Sequence, residues 1–190
     1  MTKPSGAVLF LLVTLSNGCT RIDDRSLPPV TVDVWLGGCV DKIQGLEWPK
    51  EAGVRADTRA IQTPADVRIH FPSGRVCHLK SKMTFLGQKD NVLSRITLTP
   101  AEELLSFREA VDLVGALADK LGIQGNEALV SAMESWRREQ PDPSIYESSR
   151  AQGCDIEEGI ALFLEIKPHR SEGGWFVSAE MTVSRFFVHK

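Results

Sequence analysis

With 190 residues, 42% hydrophobic and 25% charged, the chain has the composition of an ordinary globular protein and not of a disordered one. Its formal net charge is -3 and its pI is about 5.8, with the two signs interspersed. A nucleic-acid binder carries a basic face or a pI above about 9, so no nucleic-acid partner is expected.

The chain opens on an export signal. Lys3 precedes the apolar run from Ala7 to Leu15, and Ser16-Asn17-Gly18-Cys19 follows. An apolar core of about nine residues falls short of the ~20 needed to span a bilayer as a helix, so it reads as a signal-peptide core and not as an anchor. Leu15-Ser16-Asn17-Gly18-Cys19 resembles the lipobox of bacterial lipoproteins, with Ser16 where that family usually has leucine and Leu15 one place further back. The resemblance covers these few positions alone. It implies that residues 1–18 are removed and that Cys19 receives lipid as the first mature residue. The membrane is then a partner through that lipid, and the protein sits in the bacterial cell envelope facing the periplasm or the cell surface. Ser16 and Gly18 also suit ordinary signal-peptide cleavage, which leaves a soluble periplasmic or secreted protein.

With Cys19 lipidated, Cys39, Cys77 and Cys154 remain. They allow one disulfide and a spare thiol, in three pairings that the sequence does not rank, or three small buried hydrophobes. There is no CxxC and no Cys/His spacing of the zinc type.

Residues 19–29 are polar and end in Pro28-Pro29, so they read as a tether from the membrane. Val30, Val32 and Val34 alternate with Thr31, Asp33 and Trp35, the period-two pattern of a strand with one buried face, and Gly37-Gly38 ends it. Residues 40–65 show no period and read as an irregular excursion. Val67, Ile69 and Phe71, then Cys77 and Leu79 beyond Pro72-Ser73-Gly74, give a hairpin. A three-residue turn sets Ile69 against Cys77 and Val67 against Leu79 on the buried face, leaving Arg68, His70 and His78 on the other. Residues 92–98 form a further strand.

Ser106-Phe107-Arg108-Glu109 is a capping-box pattern, and Ala110, Val111, Val114, Leu117, Ala118 and Leu121 then hold a three-four spacing up to Gly122. Thr99-Pro100 opens a preliminary turn before it. A second helix starts at Asn126, carries Leu129, Ala132, Met133 and Trp136 on one stripe and stops before Pro141. Residues 140–159 read as a second long loop. Residues 160–166 are almost continuously apolar and 175–188 alternate, so the chain ends in a hairpin whose second strand is the longer, its overhang paired with an earlier strand.

The chain contains no GxSxG, SxxK, HExxH, P-loop or GxGxxG pattern, so no catalytic residue, metal or cofactor is assigned. His70 and His78 are diagonal neighbours on one hairpin face, but a metal site needs a third ligand that the sequence does not indicate. Cys77 and His78 point to opposite faces of a strand, which argues against a nucleophile pair. Cys154 lies near Asp155, Glu157 and Glu158, where like charge disfavours its thiolate. Trp48, in the first long loop, and Trp175, at the hairpin turn, are the candidate partner-binding residues, whereas Trp35 and Trp136 read as core.

The expectation is one α+β domain over residues 30–190, with an antiparallel-dominated sheet of five or six strands packed on two central helices. The expected function is non-enzymatic binding of an unknown protein partner, as an immunity-like inhibitor or an assembly accessory, through residues 40–65 and 140–159. The alternative is an envelope hydrolase built on His70, His78 and nearby carboxylates.

Overall fold

A computed structural model describes residues 30–40, 43, 58–61, 65–100, 104–142, 144–145 and 148–183. Cys19, Trp48, the tether and the stretch after residue 183 lie outside them. The elements are β1 (Val30–Trp35), β2 (Thr58–Ile61), β3 (Ala65–His70), β4 (Val76–Ser81), β5 (Met83–Lys89), β6 (Val92–Thr99), α1 (Phe107–Leu121), α2 (Glu127–Arg138), β7 (Arg150–Glu157), β8 (Ile160–His169) and β9 (Gly174–Val183). They make an α+β domain with a six-stranded antiparallel sheet, β2-β5-β6-β9-β8-β7, and a three-stranded sheet, β1-β3-β4. Within the smaller sheet β1 runs parallel to β3, the one parallel pairing among the described strands.

Strict alternation builds the small sheet. Val32 and Val34 from β1, Val67 and Ile69 from β3, and Cys77 and Leu79 from β4 are all buried. The β3–β4 register is Val67 with Leu79 and Ile69 with Cys77, as the three-residue turn requires. Gly74 takes φ 87° in that turn, and Phe71 and Arg75 close it with a 2.9 Å backbone bond. Two seams join the sheets. Beyond β1, Gly37 donates to Leu93 and Leu93 donates to Gly38, each at 2.9 Å. Between β4 and β5, the Lys82 amide donates to the Thr99 carbonyl at 2.9 Å, so one nearly continuous run passes from the small sheet into the large one.

The helices form where the capping chemistry places them. The Ser106 side chain accepts from the Glu109 amide while the Glu109 carboxylate accepts from the Ser106 amide, and Gly122 closes α1 at φ 68°. The buried stripe from Ala110 to Leu121 packs on β8, β9 and β4. Asn126 caps α2, whose Leu129, Met133 and Trp136 face inward between α1 and β7. Gly115 leaves room for Met133, whose Cε would lie 2.9 Å from a Cβ there. Strands and helices share one continuous apolar core. No helix among the described residues is long and apolar enough to cross a membrane.

Several expectations are corrected. Residues 150–157 form β7, not part of a loop. It is an edge strand with one neighbour among the described strands, its residues are mostly half-buried and show no alternation, and its Gly153 gives room to the Phe163 ring. β8 and the described part of β9 each span ten residues, and the overhang expected beyond Val183 lies outside the described residues. An earlier strand, β6, flanks β9 and pairs with its residues 179–182. Thr99 ends β6.

Candidate functional site

The outward face of the small sheet carries a grid fixed by its register. Three rows cross β1, β3 and β4: Thr31-Asp66-Lys80, Asp33-Arg68-His78 and Trp35-His70-Val76. Because side chains alternate along a strand, burying the valines and leucines behind forces these nine outward.

At its centre, Asp33 accepts two bonds. Arg68 Nη2 donates to Oδ2 at 2.6 Å, and His70 Nε2 lies 2.8 Å from Oδ1. Trp35 lies on the His70 ring, centroids 4.5 Å apart and planes 12° from parallel, yet remains 40% exposed. Val76 at the end of that row is 42% exposed. The arrangement holds an aromatic ring on an open surface: the carboxylate fixes both the guanidinium and the imidazole, and the imidazole supports the indole. Trp35 is therefore not a core residue, because it shares the face of Asp33 and not that of the valines.

The structure takes the other sequence-derived candidates apart. Trp175 is 1% exposed, edge-on to Phe107 with centroids 4.8 Å apart, and its backbone exchanges two bonds with Leu105. It lies in the core and offers no surface to a partner, because the strand alternation of β9 turns it inward. Trp48 lies outside the described residues, as does Cys19. Trp136 is buried on α2, as its spacing indicates. His70 and His78 do share a face as diagonal neighbours, but the Nε2 of His70 is engaged by Asp33. Among the described residues no three His, Cys, Asp or Glu side chains are grouped to hold a metal.

Cys77 and Cys154 are unbridged thiols. Burial pushes the Cys77 thiol above its ordinary value, against a smaller opposing pull from Arg75 and Lys120. Cys154 is likewise pushed up, first by burial and then by Asp155. Neither has the electropositive, accessible setting that a nucleophile requires.

A second outward surface belongs to the large sheet, where Phe85, Thr97, Glu180 and Phe163 line up across β5, β6, β9 and β8. Both phenylalanines are exposed. Comparison with family models, with curated proteins and with solved structures finds no match for this chain.

Proposed function

We propose that this is an exported, lipid-anchored protein of the bacterial cell envelope that acts without catalysis, by binding another macromolecule as an immunity-like inhibitor or an assembly accessory. The observation that carries the reading is the supported Trp35 on an open sheet face. Tryptophan and arginine are the side chains most enriched among residues that dominate binding energy, and a ring already held in place loses less freedom on association. The sequence-level case for export and lipid on Cys19 supplies the address.

One contact favours a second reading. The 2.8 Å pairing of His70 with Asp33 is the carboxylate–imidazole arrangement of a general base, which a hydrolase would use through the free Nδ1. Capture of partners from the native envelope separates the two. Trp35→Ala should weaken capture by about tenfold or more, whereas His70→Phe, which keeps an aromatic ring under the indole, should retain most of it. A folded His70→Phe variant that captures partner normally but loses all biological activity would establish the enzyme instead. The address is tested by Cys19→Ser, which should release the protein from the membrane fraction.

A further inference from the structure

The same sheet face is unevenly charged along its length. Beside its first row lies a cleft of about 500 Å³, lined by Thr31, Asp66, Arg68, His78, Lys80 and Lys120. Three permanent cations and a histidine surround it, against one carboxylate, in a chain whose net charge is -3. Lys120 reaches it from the last turn of α1, which is held to β4 where Cys77 Sγ meets the Lys120 carbonyl at 3.5 Å. Lys80 and Lys120 are exposed and form no ion pair among the described residues. Arg68 gives Nη2 to Asp33, but its Nε is buried with no hydrogen-bond partner.

Where the cleft lies matters as much as its charge. Thr31 is the second residue of β1, the first described element. At ~3.3 to 3.6 Å per residue, the segment from Cys19 to Val30 reaches at most about 40 Å. A lipid on Cys19 would place Val30 within that distance of the bilayer, with the Thr31-Asp66-Lys80 row at the near end of β1 and Trp35 at its other end.

We propose that this cleft binds a phosphate group, and that its source is the headgroup of acidic phospholipids in the bilayer that holds the anchor. Lysines act as mobile point charges toward phosphate and the arginine adds a directional donor. Basic residues held near an anionic leaflet each contribute measurably to attachment. The contact would orient the domain, cationic row toward the membrane and the Trp35 row away from it. The proposal rests on the lipid-anchored reading, and the two are tested apart.

The experiment mixes the purified full chain, as cells produce it, with phosphatidylcholine vesicles with or without phosphatidylglycerol, and reads the ratio of binding to the two. Because one chain is compared on two surfaces, any acyl chain contributes equally and cancels; Cys19→Ser fractionation reports on the anchor separately. The wild type should prefer anionic vesicles, and Lys80→Gln with Lys120→Gln should lower that preference by about tenfold or more. Both lysines are exposed, so the double variant should keep the wild-type thermal midpoint. Asp66→Asn, which removes the carboxylate, should raise the preference instead. An unchanged preference in the double-lysine variant would overturn the proposal. So would saturable binding of inorganic phosphate, seen in the His78 ring resonances, by a protein with no preference between the vesicles, since the site would then serve a free anion.

Discussion

Asp33 holds Arg68 through one carboxylate oxygen and His70 through the other, and His70 in turn carries Trp35. Partly exposed ion pairs of this kind contribute only ~0 to 1 kcal/mol to stability, so the network is better suited to fixing a surface than to holding the fold. Asp33→Ala should therefore leave the thermal midpoint almost unchanged yet weaken partner capture, because the imidazole that supports the indole is released. In a double-mutant cycle with Trp35→Ala the losses should be non-additive by about 0.5 to 3 kcal/mol, the signature of residues that act through one another. Strict additivity would mean that Asp33 does not position the ring.

On the inner side, α1 supplies the helical share of the core. Leu117 is buried in the stripe that packs against β8 and β9. Leu117→Ala should cost ~2 to 5 kcal/mol in urea unfolding, as lost transfer energy and a cavity that the neighbouring strands cannot fully close. A loss below ~0.5 kcal/mol would show that this face is not load-carrying.

Such features were legible because they are local. The capping box at Ser106 and Glu109, the glycine at 122 and the three-four spacing between them specify a helix without reference to the rest of the chain. The β3–β4 register was legible for the same reason, since a three-residue turn and one buried face leave little freedom. What escaped was non-local or unpatterned. The strand at 150–157 has no alternation because its edge position half-buries nearly everything. Strand β5 went unread although Asp90 and Asn91, with φ of 54° and 61°, make the two-residue hairpin turn that Asp and Asn favour. For the candidate site, the shared face of Arg68, His70 and His78 was readable. Asp33 and Trp35 joined it only through the parallel pairing of β1 with β3, across a segment whose sequence carries no period. Trp175 reads as a turn residue because it stands beside two glycines, whereas it lies near the start of an alternating strand.

Those glycines support a third test. A Cβ on Gly174 would run into Leu104 Cβ, beside the Leu105–Trp175 bridge, and neither backbone can give way without breaking that pairing. Gly174→Ala should cost about 1 to 3 kcal/mol by overpacking, measured by chemical denaturation. Gly125→Ala is the internal control. A Cβ at Gly125 meets nothing within 4 Å, so the change should be neutral or stabilise by ~0.4 to 1 kcal/mol through the unfolded chain. Equal effects at the two sites would refute the steric account.

The last test concerns acid. The Ser106 hydroxyl donates to Glu109 at 2.6 Å and the Ser106 amide donates at 2.9 Å, and these two bonds hold the Glu109 carboxyl below its ordinary value. A carboxyl whose pKa is lower in the folded chain than in the unfolded one binds fewer protons when folded over the interval between the two values. Its stabilising share is then complete above the unfolded value, near 4.5, and disappears as pH falls through the lower folded value. Glu109→Gln keeps a side-chain oxygen for the capping box but cannot titrate, so its unfolding midpoint should fall less steeply than that of the wild type below about pH 4.5. Asp142, held low in the same way by the Ser144 hydroxyl and amide, leaves part of the acid limb in place. Identical acid limbs for wild type and Glu109→Gln would show that the capping carboxylate is not linked to folding.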